Sequence, residues 1–230
     1  MSSRNEGDFV VMIAEGRCRY LLYSLLGLLL LYPALEQGPG ALTLMLVVNS
    51  ATLLAGVYAV SDTRRHVAIA ASLAVSQVTL TLVARFLGLE HPAIRPVAIA
   101  AVVVFIAFYV FTLVHVLRYV LRGVRITKDK LFGAVSVYLL MGLAWASVYA
   151  LVQAVEPGSF ASNVADSSDS PDLIYFSFVT LTTLGYGDIT PVTARARSLA
   201  LLEAVTGVMY LAVLVARLVS AYRYGVDPDP

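Results

Sequence analysis

The sequence is poor in what most soluble folds are built with. Charged residues make up 13% of its 230 positions, against about a quarter in a typical soluble domain. That is too little to clothe an apolar remainder of 59% with a mean hydropathy of +0.82, so the expected solvent is a bilayer. One cysteine, Cys18, excludes an intrachain disulfide framework and any CxxC site. Three scattered histidines, His66, His91 and His115, have no metal-ligand spacing. Paired carboxylates, a Ser-His-Asp constellation and a cofactor loop are missing as well, so neither an enzyme nor a bound cofactor is expected. The first twenty residues, MSSRNEGDFVVMIAEGRCRY, carry acids and no small-residue cleavage site. They do not read as a removable signal peptide, and the first apolar span is expected to act as an uncleaved anchor.

What the sequence has in quantity is long apolar runs. Crossing about 30 Å of hydrocarbon takes roughly 20 helical residues. Six stretches suffice, near 20–36, 41–61, 66–88, 96–119, 132–155 and 195–222. The connection between the last two holds a further apolar piece, Pro171 to Thr183, which is too short to span and reads as re-entrant. The expected organisation is a cytoplasmic segment (1–19), a four-helix transmembrane bundle (20–119), a cytoplasmic linker (120–131), a domain of outer helix, re-entrant segment and last helix (132–222), and a short cytoplasmic tail (223–230). If the spans alternate, Arg4, Arg17, Arg19, Arg64, Arg65, Arg118, Arg122, Arg125, Lys128, Lys130, Arg217 and Arg223 share one side. The positive-inside rule then puts both termini in the cytoplasm.

The fourth span ends in His115, Arg118, Arg122 and Arg125, at the three- and four-residue spacing a voltage sensor would use. Ile99 to Thr112 carries no charge, however, and the first three spans hold no internal acid to pair with a buried arginine. The cluster therefore reads as a basic helix end. Asn49, Ser76 and Gln77 fit hydrogen bonds between helices, and Glu156 to Ser170 reads as a polar surface loop.

TLTTLGYGDITP, from Thr180 to Pro191, sits between two greasy segments. Glycine adopts left-handed backbone that costs other residues about 1–2 kcal/mol. A strand alternating such residues with ordinary ones points successive carbonyls the same way. Thr183, Leu184, Gly185, Tyr186 and Gly187 place glycines where that alternation needs them. Carbonyls of residues 183 to 186, with the Thr183 hydroxyl, would then form rings of hard oxygen ligands suited to a monovalent cation stripped of water.

At these residues the chain resembles the potassium-channel superfamily, whose selectivity-filter carbonyls replace the hydration shell of the ion. The resemblance runs through SPDLIYFSFVTLTTLGYGDITPVTARARSLALLEAVTGVMYLAVLVARL and covers roughly residues 130–222. It implies an all-α membrane protein of six transmembrane helices, with a re-entrant pore helix and selectivity filter, assembled as a homotetramer. K⁺ would bind at Thr183, Leu184, Gly185 and Tyr186, with Gly187 completing the filter and Asp188 at the outer mouth. Ser170 would cap the pore helix, Pro171 would fit its first turn, and its end at Thr182 would face the cavity. Tyr175 and Phe176 occupy the places of an aromatic pair that braces the filter, and the Tyr186 ring would point back into that brace. Leu184 replaces a commoner valine. Val179 stands where some relatives carry a carboxylate, so Asp188 would lack that partner. Gly207 would be a hinge or a close-packing residue, and Val208, Leu211 and Val215 would line the cavity.

One acid falls inside a span. Glu203 lies roughly 9 Å into the last helix, counted from Arg197, level with the filter. It is expected to face the back of the pore helix and to accept hydrogen bonds near Thr180 and Thr182, or from a tyrosine. A pH-sensing role and a packing role stay open beside that one. The function implied is a K⁺-selective channel in the cell membrane, conducting passively and not strongly voltage-gated, with no cofactor beyond the permeating ion. A regulatory or silent channel subunit and a less selective cation channel are the alternatives.

Overall fold

Apolar chain in hydrocarbon must satisfy its own backbone N–H and C=O groups, which favours helices. The computed structural model describes residues 16–36, 41–59, 63–87, 93–122, 127–162 and 172–225. Its elements are α1 (Arg17–Glu36), α2 (Ala41–Ala59), α3 (Arg64–Leu87), α4 (Ile94–Leu121), α5 (Lys128–Val155), β1 (Phe160–Ser162), α6 (Leu173–Leu181), β2 (Ile189–Pro191) and α7 (Ala194–Gly225). Threonines cap α5 and α7. Thr127 Oγ1 accepts from the Lys130 amide ahead of α5, and Thr193 Oγ1 from the Ala196 amide ahead of α7, each at 3.3 Å.

Among the described residues four helices are long and apolar enough to cross a membrane, over Arg64–Ala84, Ile94–Leu121, Lys128–Val155 and Ala194–Ser220. The protein is a multi-pass membrane protein, mostly helical. Helices α1 and α2 stand where the first two spans are expected; the apolar stretch described in α2, Val47–Ala59, is shorter than a crossing. Helix ends overrun the expected ones. Helix α1 takes in Arg17 and Arg19, and α4 and α5 leave only residues 122–127 of the expected 120–131 linker between them. Arginine and lysine extend helices readily, because their stems lie along apolar surface while the charge stays in the polar layer.

Two expectations are corrected. The 156–170 segment is more than a polar loop, since Phe160–Ser162 pairs antiparallel with Ile189–Pro191. Burial of Phe160 drives that pairing. Among the described residues the fold is all-α apart from this small two-stranded sheet. Gln77 is buried, but its amide donates to Thr81 Oγ1, 3.2 Å away on its own helix, rather than to another helix. Spacing of four residues puts the two on one face.

The chain divides into two compact units. The first comprises Met1–Val75 with Phe111–Leu139. In it α1 packs on α2, and the buried Asp129 accepts from the Cys18 amide at 3.1 Å and the Tyr119 hydroxyl at 3.0 Å. The carboxylate thereby satisfies one of the amides that the start of α1 leaves without an intrahelical partner. Arg118 and Arg122 are exposed at the end of α4, and Arg125 lies outside the described residues.

The second unit comprises Ser76–Val110 with Leu140–Pro230. Its core holds Tyr149, Phe160, Phe176, Ile189 and Ala196. The rings of Tyr149, Phe160 and Phe176 meet edge to face with centroids 5.1–5.3 Å apart, the arrangement aromatic quadrupoles favour. This cluster joins β1, α5 and α6, and fixes the short helix that precedes residues 183–187.

Candidate functional site

Helix α6 is nine residues long, and each end has a local cause. Asp172 caps it, its Oδ1 accepting from the amides of Ile174 at 3.1 Å and Tyr175 at 3.0 Å. The expected cap and first-turn residues, Ser170 and Pro171, lie outside the described residues, and the cap is Asp172 in their stead. Thr182 ends the helix, its amide reaching Phe178 O and its hydroxyl donating to the same carbonyl at 2.6 Å. The next residues turn back onto α6. The Thr183 amide donates to Thr180 O at 3.0 Å, and Val179 O receives Leu184 N at 2.9 Å and Gly185 N at 3.3 Å. One carbonyl of α6 thus anchors two amides of the segment that follows it.

Beyond this anchor the backbone alternates. Thr183, Gly185 and Gly187 have φ of 61°, 58° and 78°, while Leu184 and Tyr186 stay outside the left-handed region. For Thr183, a β-branched residue, that conformation is unusual. In an ordinary strand successive residues face opposite ways; left-handed residues at every second position cancel that reversal. The Leu184 and Tyr186 side chains are exposed in the single chain. Tyr186 is 68% exposed in the single chain, and it lies near enough to Tyr175 to act on it electrostatically.

Asp188 follows the filter and does have a partner. The Tyr175 hydroxyl donates to its Oδ2 at 2.6 Å, and the Ile189 amide to its Oδ1 at 3.0 Å. Tyr175 therefore contributes its hydroxyl, where the sequence led us to expect an aromatic surface. Its hydrogen bond holds the Asp188 carboxyl below the usual carboxylate range, and Asp188 in turn pushes the Tyr175 phenol up to about 12. Phe176 is buried in the aromatic core.

Glu203 on α7 is fully buried, at 0% exposure. Its partners are the Tyr149 hydroxyl, 2.5 Å from Oε2, and Ser177 Oγ, 2.5 Å from Oε1. A tyrosine was one of the expected donors. Ser177 was not, and Thr180 and Thr182 do not serve; Thr182 spends its hydroxyl on Phe178 O. Four residues on, Gly207 is a point of close approach, where an added Cβ would lie 2.5 Å from Leu181 O. Of its two expected roles, close packing has direct structural grounds. Val208, Leu211 and Val215 are exposed in the single chain, but so are Leu201, Met209 and Val213. Exposure alone does not single out the three.

The family described as "Ion channel" matches residues 134–224, which takes in most of α5, α6, the filter segment and α7. Protein LctB of Bacillus caldotenax is 34% identical over 100 residues, 41% of this chain and 74% of that protein. Two pore potassium channel c of rice, Oryza sativa subsp. japonica, is 36% identical over 83 residues, 36% of this chain but 17% of its own length. Potassium voltage-gated channel subfamily A member 5 of mouse, Mus musculus, is 31% identical over 93 residues, 40% of this chain and 14% of its own. The chain thus spans a small part of the rice and mouse proteins and most of LctB. No solved structure matches. With these relatives in the stretch that holds the capped helix α6 and the alternating backbone after it, the chain belongs to the ion-channel family, within the potassium-channel superfamily.

Proposed function

We propose that this chain is the pore-forming subunit of a potassium-selective channel that passes K⁺ down its electrochemical gradient. The observation that carries the reading is the alternation of left-handed backbone at Thr183, Gly185 and Gly187 with ordinary backbone at Leu184 and Tyr186. On this reading the carbonyls of residues 183 to 186 and the Thr183 hydroxyl take the place of water around K⁺. One strand cannot encircle an ion, so four copies close around a four-fold axis.

The neighbouring residues then have electrostatic and mechanical work. Asp188 concentrates cations at the outer mouth, and the carbonyl end of α6 at Thr182 favours a cation below the filter. Tyr175, Phe176 and Glu203 support the filter, Gly187 completes it, Gly207 lets α7 pack close to α6, and Val208, Leu211 and Val215 line an apolar cavity. Six spans cross the cell membrane with both termini cytoplasmic, α1 to α4 being a four-span bundle that precedes the pore domain in the chain. Gating charge is small, because Arg118 and Arg122 stand at the end of α4 rather than along its apolar length.

The test is flux from liposomes holding only the purified protein. K⁺ entry down its gradient should far exceed Na⁺ entry under the same gradient. Equal rates would end the K⁺-selective reading, and no flux of either ion would favour a subunit that needs a partner.

A further inference from the structure

Around the Glu203 carboxyl three contacts require three protons. The Tyr149 hydroxyl lies 2.5 Å from Oε2. Ser177 Oγ lies 2.5 Å from Oε1 and 2.7 Å from the main-chain carbonyl oxygen of Gly142. Tyrosine supplies one proton, serine one, a main-chain carbonyl none and an ionised carboxylate none. Two protons cannot fill three hydrogen bonds. If Ser177 donated to Glu203, its oxygen would face Gly142 O at 2.7 Å with only lone pairs between them. The count closes when the carboxyl carries the third proton. Glu203 then donates to Ser177, Ser177 donates to Gly142 O, and Tyr149 donates to Oε2. The surroundings agree, since among the described residues the groups that reach this buried carboxyl are two hydroxyls and not a cation. An ionised carboxylate there would give up its hydration for those two bonds alone.

Resting on the channel reading above, we infer that Glu203 is a neutral, proton-donating residue that positions the filter through Ser177. The chain Tyr149–Glu203–Ser177–Gly142 has one direction at each link, and ties α5, α6 and α7 together behind the filter. Ser177 precedes by two residues Val179, whose carbonyl receives both the Leu184 and the Gly185 amides. A displacement of Ser177 therefore moves the carbonyl on which the filter hangs. Among the titratable groups of the helices packed here, α5 presents Tyr149 to Glu203, while Tyr175 of α6 is turned to Asp188.

Infrared difference spectroscopy of the lipid-embedded protein, with K⁺ flux from the same preparation, tests this. At neutral pH the parent minus Glu203→Gln spectrum should contain the C=O band of a protonated carboxylic acid, shifted on exchange into D₂O. Glutamine copies the proton pattern, its amide N–H donating to Ser177 and its oxygen accepting from Tyr149. Flux in Glu203→Gln should stay within about twofold of the parent, whereas Glu203→Val, which takes the acceptor from the Tyr149 hydroxyl and cuts the link from α7 to Ser177, should lose about tenfold or more. A carboxylate band in place of the acid band overturns the inference. So does a Glu203→Val protein that conducts like the parent, or a Glu203→Gln protein that loses tenfold. If Glu203→Val does not assemble, the parent spectrum and the Glu203→Gln flux decide. A parent that conducts K⁺ selectively with an ionised Glu203 removes this inference and leaves the channel reading standing. An acid band in a protein that passes Na⁺ as fast as K⁺ does the reverse.

Discussion

Replacing Gly207 by alanine sets two roles of one residue against each other. The new Cβ would lie 2.5 Å from the Leu181 carbonyl oxygen, 2.9 Å from Leu181 Cδ1 and 3.3 Å from its Cγ. Carbon and carbonyl oxygen rest at about 3.3 Å, so α7 and α6 would have to part by about 0.8 Å. The obstacle is backbone, belonging to a buried residue next to the Thr182 helix end. It cannot swing aside as a flexible side-chain tip would. Overpacking of this kind costs about 1–3 kcal/mol, while alanine regains roughly 0.5–1 kcal/mol of helix propensity. The balance is a loss on the order of 1 kcal/mol per chain. A glycine serving only as a bending point predicts the opposite sign, because alanine would then stiffen and stabilise α7. Thermal denaturation of the purified protein, followed by loss of helical circular dichroism, reads the sign directly. The packing account expects a lower midpoint for Gly207→Ala, with reduced K⁺ flux as Leu181 shifts. An unchanged or higher midpoint would refute it.

Tyr175→Phe removes the donor that holds Asp188 below its usual range. That bond is present above the ordinary carboxylate pKa and is lost as pH falls through the lowered value, and the phenol, raised to about 12, keeps its proton until pH approaches that region. Flux of the parent should therefore be steady through neutral pH, and the acid-side decline of Tyr175→Phe should move toward neutral pH; an unmoved acid limb would contradict the role given to this pair. Neutralising the end of α4 with Arg118→Gln and Arg122→Gln should leave the conductance–voltage relation shallow, as in the parent. A steep relation in the parent that flattens in the double variant would show that these arginines carry gating charge.

The left-handed glycines of residues 183–187 were legible because their chemistry is local. Left-handed backbone at positions 185 and 187 needs glycine, and the sequence supplies it. The left-handed Thr183 was not legible, since sequence rules discourage a β-branched residue there; it is held by the hydrogen bonds of its neighbours to Val179 and by its own to Thr180. Spans three to six were legible from length and apolarity, and their ends were not, because arginine and lysine extend helices past the apolar stretch. The partner of Asp188 was missed for want of a carboxylate at Val179, although a tyrosine hydroxyl one helical turn earlier does the same work. A single buried acid opposite a membrane-facing chain announces that it needs donors; which donors depends on how α5 and α6 pack, and Tyr149 and Ser177 lie 54 and 26 positions away in sequence. The sheet escaped notice because Phe160 was the sole large apolar residue in a run of turn formers.

The alternating backbone at residues 183 to 187 is read as a set of carbonyl rings that replace the water of K⁺, and the reversal potential tests that claim most directly. With the purified protein in a planar bilayer, K⁺ on one side and Na⁺ on the other at equal concentration, current should reverse at a strongly negative potential on the K⁺ side, as K⁺ alone dictates. Reversal near zero would mean that Na⁺ passes as readily as K⁺, and would contradict the account.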